Sequence, residues 1–281
     1  MKPALNPALN PAQQIVNDET SERYREDGIV VVRNAFSPEW IDVLARGLER
    51  NLAEPGRYRR EYTPEGAPGR FFGDYCNWSR IPEYEDFARN SPAADIAKAL
   101  MGSRKVNLFH EHVVVKEPGT MDRTPWHHDQ PYYCVTGDDN VSLWIPLDPV
   151  PKERGVEFIK GSHKWGRWFT PTKFTGVDYA REDEGFEPIP DFEAERDKHD
   201  IASFGLEVGD CVAFHFRTVH GAPGNAATDT RRRAVAFRWT GDDARFVIRK
   251  GEMSPPFLDF DECRLTPGDP LDSDLFPVVR G

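Results

Sequence analysis

The sequence predicts a mainly β fold, a sandwich or barrel with helices packed outside, and three observations carry that prediction. With 24 Pro and 22 Gly in 281 residues, turn-forming residues are about one in six against a usual one in eight, which favours many short elements. From about residue 105, β-branched and aromatic runs recur between Gly, Pro, Asn and Asp, the pattern of strands. A hydrophobic content of 38%, including 18 Phe, 7 Trp and 8 Tyr, supplies the apolar surface for a large core. This length fits one large β domain, and no linker-like stretch divides it, so residues 1–281 read as a single domain.

Taken in order, residues 1–14 repeat Pro-Ala-Leu-Asn, and each Asn before Pro is biased away from helix, which predicts a flexible arm. Residues 15–104 form a mixed, helical N-terminal part. A β-branched strand over residues 28–36 leads to Ser37-Pro38, which opens an amphipathic helix carrying Ile41, Leu44, Leu48 and Leu52. A second helix starts at Ser91-Pro92, buries Ile96 and Leu100, and stops at Gly102. Residues 105–246 form the β core, with strands over 106–116, 141–147, 156–159, 211–220 and 232–239. Within that core, 170–204 is acidic and polar, so it reads as a surface excursion or lid. Residues 247–281 are a C-terminal extension.

Charge and cysteine usage exclude several roles. Lys and Arg total 36 against 47 Asp and Glu, and a net charge of -11 would repel a phosphate backbone, so nucleic acid is not an expected partner. No apolar run is long enough for a membrane span, and the N-terminus lacks a secretory pattern. Cys76, Cys134, Cys211 and Cys263 show no CxxC spacing and imply free thiols, so a cytoplasmic location is expected.

The chemistry concentrates in two places. In His127-His128-Asp129, residues one apart share a face of an extended strand, so His127 and Asp129 converge on one ion and His128 points away. Counting back by twos from His220 gives Thr218, Phe216, Phe214 and Val212, a largely apolar face that ends in a third ligand. Two His and one carboxylate leave open positions that suit Fe(II) and O2 chemistry, whereas a structural zinc site would close its shell. Such an iron needs an electron source, and 2-oxoglutarate fits if a buried cation receives its far carboxylate. Of Arg231, Arg232 and Arg233, the alternation favours Arg232, which shares a face with Ala234, Ala236 and Arg238; Arg231 is next.

Five motifs in this order, Trp-His-His-Asp at 126–129, Ser-Leu-Trp-Ile-Pro-Leu-Asp at 142–148, Gly-Ser-His-Lys at 161–164, His-Gly-Ala-Pro-Gly-Asn at 220–225 and Arg-Arg-Ala-Val-Ala-Phe-Arg-Trp at 232–239, resemble the phytanoyl-CoA dioxygenase family. The resemblance implies a double-stranded β-helix, a jelly-roll or cupin-like barrel with the helices outside. It also implies an Fe(II)- and 2-oxoglutarate-dependent dioxygenase that hydroxylates a C–H bond of a small organic substrate and releases succinate and CO2. Iron would lie on His127, Asp129 and His220, and the cosubstrate on Arg232, with Trp144 and Lys116 close to it. Two points bear on the outcome: Ala222 stands where many relatives carry Ser, and Asp129 retains the carboxylate that halogenating relatives lack.

Beside that resemblance, Tyr75, Trp78, Tyr132 and Trp168, together with Phe72 and Tyr133, are candidate walls of the substrate pocket. Arg238 faces inward and requires either an anionic substrate group or an internal carboxylate. The basic run Arg57 to Arg60 suits the mouth of a pocket for an anion. Competing readings are a cupin-type site on His110, His112 and Glu117, of which His112 is the stronger site residue, and a non-catalytic jelly roll that binds a ligand.

Overall fold

The structure, a computed structural model, describes residues 15–173 and 185–281. The expected arm at 1–14 and residues 174–184 of the acidic excursion lie outside the described residues. The N-terminal part runs α1 (Asp18–Asp27), β1 (Ile29–Val32), α2 (Pro38–Ala53), β2 (Arg60–Glu61), β3 (Phe71–Tyr75), α3 (Pro82–Asn90) and α4 (Ala93–Met101). The Asn17 side chain caps α1 by accepting from the Thr20 amide at 2.8 Å, and Gly28 ends it in the left-handed region at φ 75°. Pro38 lies in the first turn of α2, and Gly102 closes α4 at φ 70°, as the sequence predicts. Neither α1 nor α3 is expected from the sequence; both are strongly polar and bury only a narrow stripe, Tyr24 in α1 and Tyr84, Phe87 and Ala88 in α3.

The β core follows as β4 (Val106–Lys116), β5 (Thr124–His127), β6 (Val135–Thr136), β7 (Asn140–Pro146), β8 (Glu157–Ile159), β9 (Ile201–Ser203), β10 (Cys211–Phe214), β11 (His220–Ala222), β12 (Arg232–Thr240), β13 (Arg245–Phe246) and β14 (Val278–Arg280). A large sheet has the order β1-β10-β7-β12-β4-β3-β2, with β14 also on β4, and a small sheet has the order β5-β11-β8-β9. Their pairings are antiparallel, and the two sheets face each other as a jelly roll.

Alternation along β12 divides the molecule into layers. Val235, Phe237 and Trp239 point outward and pack with Leu44, Leu48, Phe87 and Ile96 of the helices. Fully burying each such side chain contributes about 1.5–3 kcal/mol, which holds the helical layer against the outer face of the sheet. Arg232, Ala234, Ala236 and Arg238 turn inward, where Ala234 and Ala236 join Trp144, Phe158, Val212 and Phe214 between the sheets.

Three expectations change. The strand expected at 211–220 is two strands in different sheets, because residues 215–218 close a turn: the Thr218 amide donates to the His215 carbonyl at 2.8 Å, and the His215 amide to that of Gly28 at 2.9 Å. The excursion is less purely a surface loop than its charge suggests: Phe192 is buried with Ile159, Phe169 and Val219, and β9 extends the small sheet. Beyond residue 246, Phe257, Leu271, Leu275 and Phe276 form a third core with Phe109, Tyr133 and Phe216.

Candidate active site

His127 ends β5 and His220 begins β11, and the two are directly paired across the small sheet. Asp129 is not on the strand as expected. Its backbone is helical, at φ -71° and ψ -40°, and opens the turn Gln130–Tyr132, which swings the carboxylate back toward both imidazoles. Asp129 Oδ1 lies 3.6 Å from His127 Nε2 and 3.9 Å from His220 Nε2. His128 points away as expected and accepts from the Phe169 amide at 2.9 Å.

Hydrogen bonds fix the protonation pattern. His127 Nδ1 lies 2.8 Å from the Pro125 carbonyl and His220 Nδ1 2.9 Å from that of Thr218; a carbonyl only accepts, so Nδ1 carries the proton in both rings. Both Nε2 atoms face the Asp129 oxygen, and on a neutral ring with its proton on Nδ1 that atom carries the lone pair. Burial pushes His220 down to about 3, and it is neutral. Burial pushes Asp129 up, but the Arg238 guanidinium beside it holds the carboxyl well below its usual range. Two ring nitrogens and a carboxylate oxygen that converge in a buried site are the donor set a cation would draw together, so these residues fit a metal ion. The three ligand atoms lie within 4.8 Å of one another, the one such group among the described residues, and with no cysteine or fourth ligand they leave an open shell.

Arg238 is buried beside this group, and its Nε donates to Asp129 Oδ2 at 3.1 Å. Of the two partners expected for it, the structure shows the internal carboxylate. Its guanidinium lies 5.6 Å from the Tyr133 ring centre.

A narrow cavity of about 60 Å³ runs from His127 and His220 to Arg232, lined also by Trp144, Phe214, Ala222 and Ala236. Arg232 donates to the carbonyls of Arg154 and Pro223 and pairs with no carboxylate among the described residues. Burial, with Arg154 nearby, lowers it to about 10. Its neighbours are committed elsewhere: Arg231 pairs with Glu117 and Glu49, and Arg233 with Asp148 and Glu49. Lys116 donates to the carbonyls of Asp122 and Pro223, the second of which Arg232 also uses, and burial reinforced by Arg232 lowers it to about 6. Lys116 thus stands behind Arg232.

A second cavity of about 210 Å³ opens on the other side of His127 and Asp129. Tyr75, Tyr132, Tyr133 and His112 line it as expected, and Arg60 of the basic run reaches its rim. Trp78 does not line it; its indole packs against the helical core and faces a separate hollow with Arg57 and Phe260. Trp168 does not line it either, being stacked on Phe186 with Arg249 over its ring. Phe72 is core. The cupin-type alternative fails, because Glu117 is bound by Arg231 on the outer face while His110 and His112 point inward. Missed by sequence reasoning are Tyr62 on the β2–β3 hairpin, Thr172 and Lys173, and Glu252, Ser254 and Pro255 of the C-terminal extension. The aromatic and charged flanks of the hairpin could have signalled Tyr62; nothing local marks 252–255.

A jelly roll with two imidazoles and a carboxylate on its inner face, and a buried arginine with no carboxylate partner among the described residues along the adjoining groove, defines the class of 2-oxoglutarate-dependent non-haem iron dioxygenases. Within that class the chain belongs to the phytanoyl-CoA dioxygenase family, whose model matches residues 24–234. It is 24% identical over 241 residues to the dioxygenase hkm4 of Aspergillus hancockii, covering 78% of this chain and 70% of the relative. Over 166 residues it is 26% identical to a probable alpha-ketoglutarate-dependent hypophosphite dioxygenase of Stutzerimonas stutzeri, covering 57% of this chain and 54% of that protein. Among solved structures, the non-haem alpha-ketoglutarate-dependent carbocyclase SnoK from nogalamycin biosynthesis shares its fold, with a TM-score of 0.72 at 24% identity, over 94% of this chain and 97% of that one. EctD from S. alaskensis, solved with bound Fe, has a TM-score of 0.62 at 18% identity, over 80% and 77% of the two chains. No helix among the described residues is long and apolar enough to cross a membrane.

Proposed function

We propose that this protein hydroxylates a C–H bond of a small organic substrate, with iron held by His127, Asp129 and His220. The observation that carries this reading is the convergence of the His127 and His220 Nε2 atoms and Asp129 Oδ1 at one end of a groove whose other end is Arg232. Fe(II), when bound, supplies activation of O2, with 2-oxoglutarate as the two-electron reductant that leaves as succinate and CO2. Arg232 receives the far carboxylate of the cosubstrate, Lys116 stands behind it on the shared Pro223 carbonyl, and Trp144 walls the groove. Ala222 contributes no hydrogen bond, so Arg232 carries that end. The substrate occupies the larger cavity, where Tyr75, Tyr132, Tyr133 and His112 position it and exclude water. His112, held at about 3 by burial and Arg238, stays neutral and offers polar contact without charge. An anionic group on the substrate would meet Arg60 at the rim.

The test is an anaerobic preparation given Fe(II) and 2-oxoglutarate, followed by admission of O2 with a panel of small acids, amines, phosphonates and acyl thioesters. A metal-to-ligand absorption band, and succinate release that rises with one substrate class, are the expected results. Absence of both the band and succinate would refute the reading.

A further inference from the structure

We infer that β12 is a two-arginine cradle, in which Arg238 holds Asp129 with one side of its guanidinium and the metal-proximal carboxylate of the cosubstrate with the other. The inference deepens the proposed function and rests on it. Arg232 and Arg238 stand on the same face of β12, and the inward residues between them are Ala234 and Ala236. The strand therefore lays a floor of small side chains between two buried guanidiniums, which suits a molecule with a carboxylate at each end. Arg238 Nε is spent on Asp129 Oδ2, whereas its Nη1 is buried without a hydrogen-bond partner among the described residues. An unsatisfied buried donor is costly, so a partner from outside the chain is favoured.

Two facts place that partner. Arg238 lines the narrow groove as well as the larger cavity, at the end next to His127 and His220, where the keto-acid end of the cosubstrate must lie to reach the metal. Arg238 is also the charged donor at that end, because His110 and His112 are kept neutral by burial. The five N–H donors of a guanidinium let it serve two carboxylates at once. With Oδ2 occupied by Arg238, Asp129 offers Oδ1 to the metal as a single ligand atom. Arg238 is thus a positioning residue for both the protein ligand and the cosubstrate.

The experiment measures equilibrium binding with Mn(II), a redox-inactive stand-in for iron, in wild type, Arg238→Lys, Arg238→Gln and Arg232→Met. Two probes are used: 2-oxoglutarate, and 2-oxovalerate, which has the keto acid but no far carboxylate. In Arg238→Gln, Mn(II) affinity without cosubstrate is expected to fall about 10- to 100-fold, the usual cost of removing a partner of a metal ligand. Arg238→Lys, which keeps the charge beside Asp129, recovers part of that loss. Both Arg238 variants are expected to bind both keto acids about tenfold more weakly at saturating Mn(II), the worth of one charge-assisted hydrogen bond. Arg232→Met weakens 2-oxoglutarate alone. Wild-type affinity for both keto acids in both Arg238 variants would overturn the cradle, whatever happens to the metal. If wild type binds neither Mn(II) nor 2-oxoglutarate, the proposed function fails first.

Discussion

Replacing Arg232 with Met separates cosubstrate binding from folding. The guanidinium is buried and donates only to the Arg154 and Pro223 carbonyls, so its charge has no partner among the described carboxylates. A carboxylate docking there would gain two charge-assisted hydrogen bonds of about 1.5–3 kcal/mol each, and losing both costs about 3–6 kcal/mol. At the lower end of that range 2-oxoglutarate weakens about 100-fold. Stability moves little: the variant leaves two carbonyls without a donor but removes a buried cation that the fold itself disfavours. Arg231→Met is the control, because it loses partly exposed ion pairs worth about 0–1 kcal/mol and leaves the groove intact. The assay is the 2-oxoglutarate dependence of succinate release, with a melting curve for each variant. Unchanged cosubstrate dependence in Arg232→Met, with loss in Arg231→Met, would show that the inward face of β12 has been misassigned.

Further expectations concern the metal, pH and one turn. His127→Ala should abolish iron binding while His110→Ala keeps it, as read by metal content after dialysis; the reverse pattern would return the cupin-type site to favour. Glu111 is buried and accepts from the amides of Asn77 and Trp78, and burial raises it to about 8. Between its ordinary value and pH 8 the unfolded chain ionises this carboxyl while the folded chain does not, so the group's contribution to stability is full at low pH and drains as pH rises to about 8. Glu111→Gln should flatten that slope; an unaltered slope sinks the assignment. At Gly28, with φ 75°, a Cβ would stand 2.3 Å from His163 Nδ1 and 2.6 Å from Thr218 Oγ1. Gly28→Ala should therefore cost about 2 kcal/mol or more and weaken metal binding, because Thr218 donates to the Gly28 carbonyl and itself receives His220 Nδ1. Denaturant midpoints with and without Mn(II) check both effects.

The parts of the fold legible in the sequence are those ruled by local periodicity. β4, β7, β8 and β12 lie where alternation and turn residues place them, and the inward face of β12 follows from Ala234 and Ala236 alone. Periodicity misleads wherever tertiary hydrogen bonds bend the chain. Residues 211–220 look like one strand because their side chains alternate, yet Gly28 captures the middle of the segment and sends its two halves to different sheets. Asp129 reaches the metal site through a helical turn that the His-x-Asp spacing does not reveal. The wall formed by Glu252, Ser254 and Pro255 is distant in sequence from the ligands and bears no motif, so only packing against Tyr132 and Tyr133 brings it to the site.

The division of labour between the sheets has a consequence for divergence. The small sheet carries the imidazoles, the large sheet carries the arginines, and the substrate cavity is completed by the hairpin at Tyr62 and the chain after residue 246. These last two segments donate nothing to the metal or to Arg232. Insertions, deletions or grafts there change which molecule is admitted while the oxidising machinery stays intact, so the natural handles for redesigning specificity are the edges of the barrel and its centre is the part to leave alone.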